Sequence, residues 1–326
     1  MSKIAEVKTY NSDKNGEWML ENEYKYELIN EDLRQMQAEI YKTEGMADFK
    51  IIGQDELTYA EIEDLTELTN IISEFYDVCA AAIVKNSTPA SVALAPDIQN
   101  AYDKVLDSDP TALFGAAIGF SVKIDCEIAK QLILLPIRLV MAPEIEKSAV
   151  EILKSNPLIK VLVLNTSLEN FSKLTQKEIR VTPFGTVCKD VNRRSLDKNS
   201  FNVVTKIKPT KEQIEDAVFV WKISKYTHSN SIVVAKDFKT LAVSQGFTSV
   251  AGAVEAAMDT SCDGAKDSVM ASDTVLDTEE CIYAAVQGRI STIIQPGGSK
   301  NDSKLIELAN KYNISMIFTG INNYKL

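Results

Sequence analysis

Two short segments carry residue types and positions suited to chemistry. Lys85 ends the apolar run 79–85 and precedes the polar turn Asn86–Pro89, so its ammonium is expected at the end of a buried strand. The loop Pro296–Ser299 (PGGS) follows another apolar run, at the edge where open α/β sheets place their ligands. A solvated or salt-bridged lysine and a plain turn are the ordinary alternatives for these two features.

Proton and metal chemistry is restricted because His228 is the only histidine in the sequence. A Ser-His-Asp or Cys-His arrangement, or a multi-histidine zinc site, would have to be built around that residue, which excludes most such sites. Its place near a predicted helix end is typical of a partly exposed histidine rather than a ligand. The five cysteines are widely spaced, which favours buried thiols over disulfides or a metal site. We therefore expect no metal centre.

Composition limits the class of protein. A chain of 326 residues can form one large or two medium domains, and 45% hydrophobic with 25% charged residues is ordinary for a globular protein. No run approaches the roughly 18 apolar residues of a membrane span, so no membrane partner is expected. The net charge of −11 disfavours nucleic acid as a partner. The polar residues 1–18 lack the apolar segment of a secretory signal, so we expect a cytoplasmic location.

An alternation of helices and strands must position these residues. Residues 61–76, for example, carry apolar side chains at i, i+3 and i+4, which indicates an amphipathic helix. Helices are predicted at 61–76, 98–106, 127–134, from 144 onward, 211–226, 248–258, 278–287 and 302–312. Strands are predicted at 79–85, 116–120, 137–141, 159–164, 231–235, 292–295 and 315–318. The last two strands should lie parallel and side by side, because a helix crosses over between them.

The alternation predicts an α/β protein with two similar lobes. We assign 1–50 to an N-terminal extension with a helix at 30–43, 51–165 to a first lobe, 166–210 to a connecting segment and 211–326 to a second lobe. The polar stretch 165–208 is expected to be largely extended.

Several motifs resemble one family in order and spacing. VWKISKYTHSNSIVVAKD (220–237), SVMASD (268–273), TIIQPGGS (292–299) and IFTG (317–320) are similar to AICAR transformylase, the formyltransferase half of AICAR transformylase/IMP cyclohydrolase. Upstream, AAIVKNSTPASVA, DSDPTALFGAAI and VMAPEIEKSAVEIL resemble further family segments. The resemblance covers about 53–326, and Lys25-Tyr26 stands in for an Arg-Tyr-Gly motif.

This resemblance implies a fold, a reaction and an assembly. The family's transformylase half has two lobes of cytidine-deaminase-like fold, each a mixed sheet flanked by helices, and forms an intertwined homodimer with active sites between subunits. It transfers a formyl group from formyl-tetrahydrofolate to the amine of AICAR, a nucleotide of purine biosynthesis. The cyclohydrolase half would precede it and is expected to be absent, so at most one activity is expected.

The resemblance also assigns catalytic roles. The family places a lysine and a histidine side by side at Lys85 and Asn86, where the histidine moves the proton. The Asn86 amide cannot carry a proton at physiological pH, and loss of a positioned acid–base group costs about 10²–10⁴-fold in rate.

Further site residues are implied by the same motifs. Substrate contacts fall on Tyr26, Phe114, Gly115, Asn230 and Tyr324, and folate contacts on Ser272, Asp273, Gly297, Gly298 and Ser299. The glycines, Phe114 and the Ser272-Asp273 pair are also explained by the backbone geometry of the fold alone. Departures from the family are Val250 and Asn322 for arginines, Arg138 for an acid, Thr274–Asp277 for aromatic residues and Leu326 for a histidine.

Three hypotheses remain open. The chain is a transformylase-like protein with weak or lost activity, or a formyltransferase for another acceptor in which Arg138 meets a new anionic group, or a non-catalytic partner protein.

Overall fold

The computed structural model describes residues 4–12, 18–32, 38–43, 46–53, 56–174, 177–196 and 201–326, with side chains from residue 46 onward. Strands are β1 (Ile4–Ser12), β2 (Trp18–Asp32), β3 (Ala38–Thr43), β4 (Phe49–Ile52), β5 (Ala80–Lys85), β6 (Thr88–Leu94), β7 (Ala117–Phe120), β8 (Leu139–Ala142), β9 (Lys160–Leu164), β10 (Lys177–Thr182), β11 (Gly185–Asp190), β12 (Asn202–Val203), β13 (Ile232–Lys236), β14 (Lys239–Ser244), β15 (Val269–Ser272), β16 (Thr292–Gln295) and β17 (Ser315–Phe318). Helices are α1 (Tyr59–Ser73), α2 (Ile98–Ser108), α3 (Cys126–Leu132), α4 (Lys147–Lys154), α5 (Leu168–Ser172), α6 (Lys211–Ser224), α7 (Val250–Ser261), α8 (Glu279–Gln287) and α9 (Asp302–Lys311).

A mixed sheet of twelve strands organises the molecule. Its order is β12-β17-β16-β15-β13-β14-β6-β5-β7-β8-β9-β4. The predicted α/β class is confirmed, and β16 and β17 are parallel neighbours as expected. The centre of the sheet is the antiparallel contact of β6 with β14, where Ala93 lies opposite Lys239.

The sheet repeats one sequence of elements on either side of that centre. We call β4 to β9 (49–164) the first half and β12 to β17 (202–318) the second half. Each contains a strand, a helix, a hairpin and then three helix–strand units, and α6 begins 152 residues after α1 (211 against 59). Both α1 and α6 begin with a capping box, Thr58 with Glu61 and Thr210 with Gln213. The halves therefore share their local signals as well as their order.

The inner strands read as continuous apolar runs because helices cover both faces of the sheet. On one face, α1 and α6 share a core that includes Leu68, Trp221 and Val84. On the other face, α2 to α4 and α7 to α9 build a separate core for each half. Side chains along β5 alternate between these cores, since Val84 lies in the shared core and Ile83 in that of the first half.

Three sequence-based predictions are wrong or incomplete. The helix predicted at 30–43 is instead the end of β2 and all of β3, which pair antiparallel; Ile40, Tyr41 and Thr43 are residue types that favour strands. The stretch 165–208 contains α5 and the β10–β11 hairpin. Strands β6 and β14 were not predicted, because β6 begins within the polar turn at Thr88-Pro89 and β14 at a lysine.

Within the described ranges, none of the helices combines the length and apolar character required to cross a bilayer.

Candidate functional site

The turn after Lys85 has an unusual backbone. Lys85 is the last residue of β5, as predicted, and Asn86 and Ser87 form the two-residue connection to β6. Their φ angles are +52° and +57°, in the left-handed region that non-glycine residues rarely adopt. Two consecutive residues in this region match the right-handed twist of a hairpin. The turn therefore directs Asn86 outward at a fixed place, at some cost in backbone strain.

A buried acid holds this turn. The Ser87 N–H donates to Oδ1 of Asp64, on α1, over 2.6 Å. Asp64 is fully buried, and its other oxygen forms an ion pair with Arg138, the residue before β8. Arg138 also donates to the carbonyl oxygen of Ala60 over 3.2 Å. Arg138 is thus engaged inside the protein rather than by an outside anion.

Lys85 and Asn86 line a cavity of about 510 Å³ between β6 and β14. Its volume suits a small organic molecule. The lining residues are Lys85, Asn86, Thr88, Pro89, Ala90, Ser108, Asp109, Pro110, Thr111, Ala112, Leu241, Ala242, Val243 and Thr260. The cavity therefore offers one ammonium, one amide, several hydroxyls and one carboxylate.

The carboxylate of the cavity is committed to its own loop. Oδ1 of Asp109 accepts hydrogen bonds from the Thr111 N–H at 3.0 Å, the Thr111 hydroxyl at 2.7 Å and the Ala112 N–H at 3.1 Å. These three hydrogen bonds stabilise the loop and occupy Oδ1 of Asp109.

His228 lies elsewhere in the sheet. It precedes β13, and β14 and β6 lie between β13 and β5. Its N–H donates to Oε1 of Gln245 at 2.9 Å. Partial burial, followed by the charges of Lys325 and Lys189, lowers the pKa of His228. The cavity beside Lys85 thus has no histidine among its lining residues.

Phe114 and Gly115 follow the loop that lines the cavity. The Phe114 ring is 75% exposed. Gly115 has φ +71°, and its N–H donates to the Pro136 carbonyl at 2.7 Å. Neither residue lines the cavity.

A second group of predicted site residues gathers around Asp273. Its carboxylate accepts hydrogen bonds from the Ser231 N–H at 2.7 Å and from the Ser229 hydroxyl. Burial raises the pKa of Asp273, while these donors oppose the shift. The neighbouring Ser272 hydroxyl is buried with no hydrogen-bond partner in the described part of the chain. Asn230 uses its amide N–H to bind the Phe247 carbonyl at 3.0 Å.

The C-terminal tail joins the same group. The Asn323 N–H donates to the Asp273 carbonyl at 2.9 Å, and the Lys325 N–H donates to the Ser229 hydroxyl at 2.9 Å. Tyr324, between them, is half exposed. The segments that carry Asn230, Ser272, Asp273 and Tyr324 are therefore brought together. The Tyr26 side chain lies outside the described side chains.

The glycine loop after β16 is shaped by its own packing. Gly297 has φ +73°, and a Cβ there would lie 2.4 Å from the Phe318 ring. The Gly298 N–H donates to Oδ2 of Asp302 at 2.7 Å, and the Ser299 hydroxyl accepts from the Asn301 N–H at 3.2 Å. These contacts fit a turn that starts α9.

The two groups of site residues are apart within one chain. Three strands, β6, β14 and β13, separate β5 from β15. At about 4.8 Å per strand, the intervening distance is roughly 19 Å. One small ligand therefore cannot touch Lys85 and Asp273 of the same chain.

Sequence reasoning missed the acid that holds the turn. Asp64 lies four residues before Leu68 on the buried stripe of α1. An acid on the apolar face of a helix was the available signal, since such a group is rarely buried without a partner.

Comparisons with known proteins agree with the motifs. The family model described as AICARFT/IMPCHase bienzyme matches residues 11–260. The bifunctional purine biosynthesis protein PurH of Thermoanaerobacter sp. (strain X514) is 36% identical over 284 residues, 87% of this chain and 55% of the relative. PurH of Caldicellulosiruptor bescii is 38% identical over 270 residues, 83% of this chain and 52% of the relative. PurH of Fusobacterium nucleatum is 34% identical over 286 residues, which cover 87% of this chain and 55% of the relative. The chain spans about half the length of the curated relatives it matches.

Proposed function

The chain belongs to the AICARFT/IMPCHase bienzyme family, and from this premise we propose that it is a transformylase-like protein whose formyl transfer to AICAR is weak or altered. The observation that carries the proposal is that Asn86 lies beside Lys85 in the lining of the cavity. The resemblance puts the proton-carrying histidine of the family at this position.

The proposed reaction explains why Asn86 matters. The acceptor amine attacks the formyl carbon, the bond from that carbon to the folate nitrogen breaks, one proton leaves the amine and one proton reaches the folate nitrogen. The Lys85 ammonium can stabilise the developing oxyanion. Asn86 can hydrogen-bond but cannot accept the amine proton, so the expected loss in rate is about 10²–10⁴-fold.

Formyl transfer under single-turnover conditions tests this proposal. With purified protein, AICAR and formyl-tetrahydrofolate, we expect slow product formation that Lys85→Ala abolishes. Lys236→Ala is the matched control, because Lys236 ends β13 as Lys85 ends β5 and lies outside the cavity. A rate near that of a histidine-containing relative would overturn the proposal.

Asn86→His tests whether the missing proton carrier is the whole defect. We expect this single change not to recover activity, because Val250, Asn322 and Thr274–Asp277 also depart from the family. Substantial formyl transfer by Asn86→His would show that those departures matter less than proposed.

A non-catalytic partner role is the second candidate. It is supported by the polar groups of the Asp273 group, many of which bind the protein itself: Asp273 binds Ser229 and Ser231, and Asn230 binds Phe247. Calorimetric titration with AICAR and with a folate analogue separates the candidates. Nanomolar binding of both supports the enzyme, and no binding of either supports the partner role.

We further propose that the protein forms a homodimer that unites the two groups of site residues. The β10–β11 hairpin supports this, because among the described strands β10 and β11 pair with each other alone, and Phe184 and Val181 at the tip are 100% and 78% exposed. Sedimentation should give twice the chain mass. If a shared site is active, a mixture of Lys85→Ala and Asp273→Asn proteins should regain part of the activity that each lacks alone, and a monomer would refute the assembly.

A further inference from the structure

We propose that Arg138 is a positioning residue that holds the Lys85–Asn86 turn through the buried carboxylate of Asp64. The assignment of this turn to formyl transfer rests on the proposed function, whereas the mechanical link from Arg138 to the turn does not.

The link consists of two contacts to one carboxylate. Oδ1 of Asp64 accepts the Ser87 N–H at 2.6 Å, and Oδ2 pairs with Nη2 of Arg138. Arg138 is itself fixed by donating to the Ala60 carbonyl on the same helix. Its side chain is 27% exposed, while that of Asp64 is 0% exposed. The guanidinium thus faces inward, toward the acid, and not toward solvent.

The positive charge of Arg138 stabilises the buried Asp64 carboxylate as the acceptor of the Ser87 N–H. A buried carboxylate without a charged partner is strongly disfavoured in the interior, so without Arg138 the Asp64 side chain would be expected to open toward water. A paired Asp64 keeps both oxygens as acceptors. The Ser87 N–H then has a charged acceptor, which forms a shorter and stronger bond than a neutral one.

The turn needs this bond because its backbone is strained. Asn86 and Ser87 both have positive φ, and for residues other than glycine each such conformation costs free energy that neighbouring contacts must offset. Lys85 is adjacent, and its side chain and that of Asn86 line the cavity. A released turn would move both groups together, so Arg138 would affect the cavity without lining it.

The same turn in the second half shows what is specific to Arg138. Asp216 on α6 accepts the Asp237 and Phe238 N–H groups, each at 2.9 Å, and these residues also have positive φ. The position that corresponds to Arg138 is Ser291, which binds Gln213 instead. The acid is thus common to both turns, but the cations differ: Arg138 pairs directly with the Asp64 carboxylate, whereas in the second half Lys104 donates to the Asp237 carbonyl at 2.7 Å.

Amide hydrogen exchange at Ser87 tests the link independently of any activity. We expect Arg138→Met to speed exchange of this N–H at least tenfold relative to the surrounding β5 amides, and Arg138→Lys to restore most of the protection. Lys160→Met is the matched control: it breaks another buried ion pair of α1, with Glu61 at 2.7 Å, but does not touch the turn. Ser87 exchange should follow global stability alone in that control.

A double variant keeps the test decisive if Arg138→Met folds poorly. Arg138→Met with Asp64→Asn removes both charges and leaves no buried ion unpaired. Because Arg138 acts only through Asp64, exchange in the double variant should be no faster than in Asp64→Asn alone. Additive effects, or an unchanged Ser87 amide in Arg138→Met, would overturn the proposal.

AICAR binding or formyl transfer gives the functional readout. Arg138→Met should lower either signal about tenfold, and Lys160→Met should leave it within about twofold at equal loss of melting temperature. If neither AICAR nor a folate analogue binds the unaltered protein, the proposed function fails. The hydrogen-exchange result then still decides the role of Arg138.

Discussion

The two halves of the sheet use one backbone design with different charges. In the first half, Arg138 pairs with Asp64 and Lys160 pairs with Glu61, and both pairs are largely buried. At the corresponding places the second half has Ser291 and Ser315 on the strands and Gln213 on the helix, joined by neutral hydrogen bonds. The fold therefore does not require these ion pairs. Their presence in the half that carries Lys85 and Asn86 indicates a local purpose.

The two hairpin turns, after β5 and after β13, show which contacts are common to both halves and which occur in the first half. Both halves place two non-glycine residues at positive φ and bind them to a buried aspartate of the preceding helix, Asp64 or Asp216. Burial raises the pKa of Asp216, while the Phe238 and Asp237 N–H groups and the charge of Lys104 oppose the shift. The aspartate is thus the structural requirement, and the arginine is the addition that distinguishes the first half.

The largest expected difference between the halves concerns the buried ion pairs. Lys160→Met leaves Glu61 buried without its cation and should lower the free energy of unfolding by about 3 kcal/mol. The corresponding Ser315→Ala removes a neutral hydroxyl bond to Thr292 at 2.8 Å and should cost about 1 kcal/mol. Urea unfolding of both variants measures the contrast. Equal losses would mean that the ion pairs add nothing beyond the hydrogen bonds of the second half.

The loops after β8 and β16 differ by a glycine. Both begin with a proline, Pro143 or Pro296, but the second half continues with Gly297, whose missing Cβ makes room for the Phe318 ring. Gly297→Ala should lower the free energy of unfolding by about 2–4 kcal/mol, because the strain of an alanine at positive φ adds to the clash of its Cβ with the Phe318 ring.

Gly298→Ala is the control for that prediction. It also has a positive φ, +100°, but open space around the position. We expect Gly298→Ala to lower the free energy of unfolding by about 1–2 kcal/mol, from backbone strain alone. Equal melting temperatures for the two alanine variants would show that Phe318 moves aside freely, and that Gly297 is not required by packing.

The sequence predicts the order of the helices and inner strands well, for a physical reason. Buried inner strands and amphipathic helices leave strong periodic signals, so α1, β5, α6 and β13 begin within two residues of their predicted starts. The paired strands β6 and β14 carry mixed polar and apolar residues beside turns, so their composition resembles that of loops. Their burial comes from contacts across the centre of the sheet, which no local pattern encodes.

The site is less predictable than the fold. The motifs identify Lys85 and Asn86, and the structure places both at a cavity. The link from Arg138 to Asp64 spans 74 residues and depends on β8 lying near α1. A salt bridge between distant segments becomes visible once the strand order is known.

The helix caps should show the similarity of the halves rather than their difference. Thr58→Ala and Thr210→Ala each remove the side-chain acceptor of a capping box at the start of the same helix of the repeat. Each should cost about 1 kcal/mol in urea unfolding. If Thr58→Ala costs more than twice as much as Thr210→Ala, the cap of α1 is coupled to the Glu61–Lys160 pair, which shares the Glu61 carboxylate.

Two aspartates, one in each half, should give opposite dependences on pH. Asp97 caps α2, and the Asn100 N–H lowers its pKa, so its contribution to stability is present above the ordinary value of 3.8 and is lost as pH falls. Asp216 has a raised pKa because burial outweighs its two N–H donors, so the folded protein binds that proton more tightly than the unfolded chain does. Its contribution is fully present below 3.8 and is lost as pH rises through the raised value.

The opposite pH dependences of Asp97 and Asp216 are the smallest of the expected effects, and each can be assigned to a single carboxylate. Urea unfolding at several pH values between about 2 and 7 compares the unaltered protein with Asp97→Asn and with Asp216→Asn, because the Asp97 contribution changes below its ordinary pKa and the Asp216 contribution above it. The advantage of aspartate over asparagine should grow with pH at position 97 and shrink with pH at position 216. An advantage that grows with pH at both positions would mean that the Asp237 and Phe238 N–H groups compensate the burial of Asp216 completely. The cation at Arg138 would then be unnecessary for holding a turn of this kind, and the contrast between the halves would lose its physical basis.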